Sequence, residues 1–292
     1  MSISPSGQAP APSQAPDFRE LLRRHGIRPD KRLGQHFLFE RAALEKVVGA
    51  AELSPQDTVL EIGAGVGSLT LCLAAKVARV VAVEVDARLL PALRAATADC
   101  ANVRLIEGDI LAIDLDRTFV GTPYLVVANI PYAITSLLIR RLLEAPAPAA
   151  RLVITVQREV AERVVAGAGE MSLLALSVQV YGRPRIAGIL PAGAFYPPPR
   201  VDSAILRIDR HAPPLLGREQ VPLFFALARA GFGQKRKKLR NALSAGPGVE
   251  PGRVVAGLQR VGLAPNSRAQ ELTLEAWIRL TQVAQEEGWL TT

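Results

Sequence analysis

Four consecutive residues, Asn129-Ile130-Pro131-Tyr132, end an apolar run, Tyr124-Leu125-Val126-Val127-Ala128, that reads as a buried strand. An asparagine side-chain oxygen accepts hydrogen bonds. Proline removes one backbone donor and stiffens the turn, which leaves carbonyls free to face outward. A tyrosine adds a flat face for stacking. Grouped at a strand tip, these residues could hold a planar ring that bears an exocyclic amino group. They also suit a plain strand-to-helix turn in which Asn and Pro are only punctuation. The rest of the chain has to decide.

A second group of residues points to a cofactor. Glu61-Ile62-Gly63-Ala64-Gly65-Val66-Gly67 follows a short apolar strand and leads into a helix. Glycines at alternate positions allow a tight turn and let a ligand approach the backbone. Glu84 ends the next strand about twenty positions on, where a carboxylate can hold both hydroxyls of a ribose. Asp109 ends the third strand, where it could accept a hydrogen bond from an adenine amino group. Strand-end acids can also be merely solvated. In an open parallel sheet, however, these tips line one crevice, and the loop, Glu84, Asp109 and Asn129 fall at four successive strand ends. A nucleoside-bearing cofactor is expected. The spacing G-x-G-x-G departs from the G-x-G-x-x-G of dinucleotide folds, which argues against a dehydrogenase.

The elements that must position these groups follow from apolar periodicity. Strands are predicted at 58–62, 79–85, 103–106, 124–130, 152–157, 186–190 and 203–208. Helices are predicted at 17–26, 40–51, 68–75, 87–98, 135–144 and 158–166; the pattern at 171–181 fits helix or strand, with helix favoured. Alternation of this kind implies an α/β fold, a parallel Rossmann-like sheet with helices on both faces. Residues 195–202, rich in proline, read as a stiff extended connection. After about residue 209 the pattern becomes helical, at 221–243, 251–261 and 274–286. The expected organisation is a disordered tail at 1–16, an α/β domain at 17–208 and a small helical domain at 209–292.

Composition narrows the class. At 49% hydrophobic and 21% charged residues, the chain of 292 residues has the means to bury a substantial core. A net charge of +8 suggests a polyanionic partner, most simply nucleic acid. Cys72 and Cys100 form neither a disulfide framework nor a zinc pattern, and His25, His36 and His211 are scattered, so no metal site is expected. A reducing, cytoplasmic setting is the simplest reading. Residues 1–16 lack the apolar core of a signal peptide. The uncharged stretch 118–139 is long enough to raise a transmembrane question, but Pro123, Asn129 and Pro131 interrupt it, and no membrane contact is expected.

The motifs at 61–67, Glu84, Asp109 and 129–132 resemble those of S-adenosylmethionine-dependent methyltransferases, and an Asn-Ile-Pro-Tyr motif resembles the N6-adenine enzymes among them. Residues 31–38, 157–163, 194–203 and 225–243 are similar to the small-subunit rRNA adenine dimethyltransferases, the KsgA/RsmA group. The resemblance covers nearly the whole chain from about residue 17. It implies that Gln35, His36 and Leu38 close over the methionine end of S-adenosylmethionine, with Gly63 and Gly65 beneath it. Glu84 would bind the ribose, and Asp109 and Ile110 the adenine. Asn129 would also belong to the cofactor-binding set and, with the backbone of Ile130 or Pro131, would accept the two hydrogens of the target amino group and aim its lone pair at the methyl donor. Tyr132 and Phe195 would sandwich the target base, which must be unpaired or flipped. Three positions depart from the pattern: His36 replaces the usual Asn, Ala133 replaces a common polar residue, and 167–174 lacks the expected Lys and Tyr-Gly.

The densest charge run, Gln234-Lys235-Arg236-Lys237-Lys238-Leu239-Arg240-Asn241, lies on the predicted 221–243 helix. It reads either as a solvated face or as phosphate contacts with folded RNA through Lys235, Arg236, Lys237, Lys238 and Arg240. The resemblance implies small-subunit rRNA in an assembling ribosomal subunit as the partner of a monomeric enzyme. Two alternatives stay open: a large-subunit rRNA adenine methyltransferase of the macrolide-resistance type, and a non-catalytic ribosome-assembly factor.

Overall fold

The structure is a computed structural model that describes residues 16–30, 33–234, 237–244 and 250–289. The expected tail at 1–16 and the basic residues Lys31, Arg32, Lys235 and Arg236 lie outside the described residues, apart from Pro16. The chain divides into two units, Met1–Arg158 with Arg185–Asp209, and Glu159–Pro184 with Arg210–Thr292.

The first unit carries helices α1 (Phe18–Arg24), α2 (Arg41–Ala51), α3 (Ser68–Ala74), α4 (Leu90–Ala96), α5 (Leu115–Thr118) and α6 (Thr135–Glu144). Its strands are β1 (Phe37–Leu38), β2 (Thr58–Ile62), β3 (Arg79–Glu84), β4 (Val103–Glu107), β5 (Leu125–Asn129) and β6 (Arg151–Gln157), followed later by β7 (Gly182–Leu190) from Arg185 onward, β8 (Phe195–Tyr196) and β9 (Ser203–Arg210) up to Asp209. Seven of these strands form one sheet in the order β4-β3-β2-β5-β6-β9-β7. β4, β3, β2, β5 and β6 run parallel, as near-continuous apolar runs such as Thr58-Val59-Leu60-Glu61-Ile62 predict for strands covered on both faces. β9 lies antiparallel to β6, with Ser203 opposite Gln157. The sheet is therefore mixed, where alternation alone suggested a parallel one. The alternating pattern is lost after residue 165, and β9 arrives from a different kind of connection.

Strand order reverses at β2, with β3 and β4 on one side and β5 on the other. A reversal of this kind opens a crevice beyond the carboxyl ends of the strands. Two short strands escaped sequence reading. β1 pairs with β8, Phe37 opposite Tyr196 and Leu38 opposite Phe195, inside segments that looked irregular or polyproline-like. A two-residue strand has no periodicity to read. α1 begins at Asp17, whose Oδ1 accepts from Arg19 N and Glu20 N at 3.0 and 3.2 Å. Phe18 and Leu22 of α1 share a buried cluster with Phe37 and with Val66 of the glycine loop.

The second unit contains α7 (Arg158–Val165) from Glu159 onward, α8 (Leu173–Gln179), α9 (Val221–Gly233), α10 (Leu239–Leu243), α11 (Pro251–Arg260) and α12 (Leu274–Glu286). Its core joins Leu176 of α8 to Phe224, Leu258, Trp277 and Trp289. The division expected at 208/209 thus differs from the one observed, because Met171, Ala175, Leu176 and Val180 bury their side chains in this helical core. The single helix expected at 221–243 is two. Gln234 and Lys238 leave helical geometry (ψ 68 and 142), at a point where two glycines and a run of like charges disfavour the helix.

Candidate active site

A cavity of about 270 Å³ lies within the first unit at the carboxyl ends of β2, β3 and β5. Gln35, His36, Gly63, Gly65, Glu84, Asp109, Ile110, Asn129, Ile130, Pro131 and Tyr132 all line it. The fold brings together eleven of the expected cofactor and target residues from five stretches of sequence. Leu38 and Phe195 are the exceptions.

The glycine loop forms one wall. Gly63, Gly65 and Gly67 all have positive φ, at 73°, 61° and 93°. The left-handed φ of Gly65 favours glycine, and a Cβ there would press tightly on Phe37 Cδ1 at 3.1 Å. Glu84 is 4% exposed and holds this loop: its Oε2 accepts from Gly65 N at 2.7 Å and its Oε1 from Asp86 N at 2.8 Å. Burial raises its carboxyl pKa, against the pull of these backbone N–H groups. Each oxygen has a second lone pair, so the carboxylate can take two further hydroxyl donors. Asp109 is exposed at the end of β4, and its Oδ1 accepts from Leu111 N at 2.9 Å. A cradle that a Cβ would crowd and a buried carboxylate with acceptor capacity in reserve fit a ribose-bearing cofactor.

Glu61, one position before Ile62, is 1% exposed. Burial pushes its carboxyl up to about 8, and the charge of Glu84 adds to the rise while the Thr70 hydroxyl opposes it. It does not line the cavity.

Asn129 ends β5 with its amide fixed on both sides. Its Nδ2 donates to the His36 carbonyl at 2.8 Å, and the buried Thr155 hydroxyl donates to its Oδ1. The His36 carbonyl can only accept, so flipping the amide would set its oxygen against that carbonyl and lose the bond. An amide oxygen has two lone pairs, so Oδ1 can still accept from a target amino group. The Pro131 carbonyl accepts from Ile134 N at 3.3 Å and from the Thr135 hydroxyl at 3.5 Å. Tyr132 opens a short 3₁₀ turn before α6, and its hydroxyl shares a 2.6 Å hydrogen bond with that of Ser203.

Residues 33–38 form a strap along the cavity. Gln35 Nε2 donates to Asp86 Oδ2 and its Oε1 accepts from Asp30 N, both at 2.8 Å. The Arg88 guanidinium beside Asp86 holds that carboxyl below its usual range. His36 Nδ1 donates to the Pro197 carbonyl at 2.7 Å. Leu38 is buried in the core, and its carbonyl accepts from Ser68 Oγ at 2.8 Å. Leu38 thus anchors the strap without facing the cavity, because β1 turns its side chain inward opposite Phe195.

Phe195 does not line the cavity. Its ring is 3% exposed and packs in the same core as Leu38. Alternation along β8 turns the next residue outward instead: Tyr196 is 38% exposed and stacks on Phe39 at 6.3 Å. Tyr132 lines the cavity, whereas the ring expected opposite it, Phe195, lies in the core. Thr155, Ser203 and Asp86 were missed by sequence reading. Only Asp86, two residues after Glu84, gave any signal.

The second unit carries the basic run. Lys237 and Lys238 are exposed and Arg240 is half-buried, in the break between α9 and α10 and the start of α10. The expectation that the run decorates one continuous helix is corrected: Leu239 buries its side chain in the helical core, and the lysines before it sit outside helical geometry.

The family model for ribosomal RNA adenine dimethylases matches residues 27–286. A ribosomal RNA small subunit methyltransferase A of Dehalococcoides mccartyi is 42% identical over 284 residues, covering 97% of this chain and 98% of that protein. One from Acidothermus cellulolyticus is also 42% identical, covering 93% of this chain and 94% of that protein. Among solved structures, the 23S rRNA methyltransferase ErmE superposes with a TM-score of 0.71 at 28% identity, covering 85% of this chain and 99% of that one. A dimethyladenosine transferase from Plasmodium falciparum shares the fold at TM-score 0.76 and 24% identity, covering 87% of this chain and 99% of that one. With its glycine cradle, strand-end carboxylates and locked strand-end asparagine matched across nearly its full length, the chain belongs to the ribosomal RNA adenine dimethylase family.

Proposed function

We propose that this protein uses S-adenosylmethionine to dimethylate the N6 amino groups of two adjacent adenosines in a 3′-terminal hairpin loop of small-subunit rRNA. It would act in the cytoplasm, as a monomer, on an assembling small ribosomal subunit. The observation that carries the reading is the fixed Asn129 amide at the edge of the cavity that Gly63, Gly65 and Glu84 also line. Full-length similarity at 42% identity to small-subunit enzymes favours this over the large-subunit reading, whose structural neighbour is 28% identical.

S-adenosylmethionine supplies an electrophilic methyl group on a sulfonium sulfur, which leaves as a neutral thioether. Gly63 and Gly65 would take its methionine end, Glu84 its ribose hydroxyls, and Asp109 with Ile110 its adenine. The protein's work on the target is positional. The N6 lone pair of adenine is delocalised into the ring, which makes the amine a weak nucleophile. Asn129 Oδ1 and the carbonyl of Ile130 or Pro131 accept its two hydrogens, favour a pyramidal nitrogen and free the lone pair for attack on the methyl group; the methylated nitrogen then loses a proton to solvent. Orientation of this kind can supply much of the rate. Tyr132 stacks on the base and offsets part of the cost of unstacking it from the RNA.

The experiment is methyl transfer to small subunits that lack dimethyladenosine, read by nucleoside mass spectrometry. Asn129→Ala should bind S-adenosylmethionine within a few fold of the parent, while transfer falls at least about 100-fold. A fully active Asn129→Ala enzyme removes the centre of the reading. Binding without incorporation by the parent protein points to an assembly factor, and modification of large-subunit rRNA to the other enzyme class.

A further inference from the structure

Outside the cavity, the first unit carries a ladder of aromatic rings that the proposed reaction leaves unused. Phe37 and Tyr196 pair across β1 and β8, and Phe39 follows the end of β1. Phe39 stacks on Phe18 of α1, on Phe37 and on Tyr196, with 5.5, 5.7 and 6.3 Å between ring centroids. Phe18 and Phe37 are buried in one cluster with Leu22 of α1. Tyr196, at the other end, is exposed, and its hydroxyl has no hydrogen-bond partner among the described residues. The ladder thus presents one outward ring on a packed base.

Arg19 lies over that ring, with its guanidinium carbon 5.3 Å from the centroid. The acids nearest to it in sequence are already engaged: Glu20 pairs with Arg23 and Arg24, and Asp17 caps α1. Among the described residues the Arg19 guanidinium has no ion pair and no hydrogen bond. An arginine with five free N–H donors on a flexible stem can turn its fork to a phosphate and leave the tyrosine face to a base.

The position of the pair suits the same RNA. Pro197, next to Tyr196, accepts from His36 Nδ1, and His36 lines the cavity. Ser203, at the far end of this connection, shares a hydrogen bond with Tyr132, which also lines the cavity. An RNA strand that delivers an unpaired adenine to the cavity brings its neighbouring nucleotides to this connection. An apolar protein surface laid on Tyr196 would leave the guanidinium uncompensated, whereas a nucleotide supplies a flat base and an anion together. The net charge of +8 favours the same occupant.

We infer that Arg19 and Tyr196 form a stacking platform for one unpaired nucleotide beside the target, with the ring under its base and the guanidinium on its phosphate. The inference rests on the adenine reading given above and extends it to the strand around the target.

The test uses the full-length protein and small subunits that lack dimethyladenosine, with Tyr196→Ala, Tyr196→Phe and Arg19→Ala. Tyr196→Ala should raise the Kd and KM for subunits about 10-fold, with the loss falling on KM rather than kcat, and keep the salt slope of binding. Tyr196→Phe retains the ring and should bind like the parent. Arg19→Ala should weaken binding and flatten the slope of log K against log salt by about one counterion. With p-benzoylphenylalanine in place of Tyr196, irradiation of the complex should crosslink rRNA. Unchanged subunit affinity in Tyr196→Ala overturns the platform, as does a loss in Tyr196→Phe equal to that in Tyr196→Ala, or a crosslink to a ribosomal protein instead of rRNA. A pair that merely pins α1 would show itself in both alanine variants as a lower melting temperature and weaker S-adenosylmethionine binding, because Phe18 and Leu22 pack with Val66 of the glycine loop; that result also overturns it. A parent protein that binds subunits but transfers no methyl group overturns the adenine reading, and the variants' Kd values then decide the platform separately.

Discussion

At the scale of single residues, the site depends on how one amide is held. Asn129 takes a donor from Thr155 on its oxygen and gives a hydrogen to the His36 carbonyl, so its acceptor face has one orientation. Thr155 is fully buried, and Thr155→Val is close to isosteric. That change should leave folding and S-adenosylmethionine affinity nearly intact, yet cut methyl transfer roughly 10-fold, because the amide loses a bond worth about 1 kcal/mol and gains rotational freedom. Steady-state kinetics at saturating cofactor checks this; an unchanged kcat would show that the hydroxyl is incidental. Asn129, Glu84 and Asp109 were legible in the sequence because strand tips are where a parallel sheet places its chemistry. Thr155 and Ser203 were not, because their partners lie on β5 and in the turn that follows it, and no spacing records that.

At the scale of elements, β2 and β3 bring two carboxyl groups into one poorly solvated place. Glu61 is pushed from 4.5 up to about 8 by burial, so the folded protein keeps a proton that the unfolded chain releases above about pH 4.5. Between those values the native state binds more protons than the unfolded one, and stability falls as pH rises. Glu61→Gln is neutral at every pH and lacks this slope. Its melting temperature relative to the parent should climb by several degrees between about pH 5 and about pH 8. A constant difference across that range, in thermal scans at matched ionic strength, would contradict the burial effect. Most element bounds could be read from apolar runs: Thr58–Ile62, Thr135–Glu144 and Leu274–Glu286 match their expected ranges. The β1–β8 pair could not, and it is the pair that turns Leu38 and Phe195 inward and Tyr196 outward.

At the scale of the whole molecule, each unit has its own core and carries its own part of the proposed task. In the helical unit, two tryptophans pack against glycines. A Cβ on Gly231 would lie 2.7 Å from Trp277 Cη2, and one on Gly257 would collide with the Trp289 ring. Gly231→Ala gains about 1 kcal/mol of helix propensity but overpacks the core by about 1–3 kcal/mol. A net loss of stability in denaturant unfolding is expected, with S-adenosylmethionine affinity kept within a few fold, since every cavity residue belongs to the first unit. The basic run should act through phosphates. Replacing Lys235, Arg236 and Lys238 with Ala should weaken binding to small-subunit RNA and flatten its salt dependence by up to three counterions. An unchanged slope of log K against log salt would assign the run to solvation alone. No helix among the described residues is long and apolar enough to cross a membrane.

The sequence by itself determined the α/β class, the cofactor cradle and the asparagine at the strand tip. Periodicity, glycine spacing and strand-end acids are local quantities, written along the chain within a few residues of the groups they position. Only the tertiary structure decided which rings face the cavity, where the helical unit begins and what holds Asn129 in place. Those outcomes depend on side-chain direction across paired strands and on which apolar face finds which core. Both are settled by packing between residues far apart in sequence, as in the 93 positions that separate His36 from Asn129.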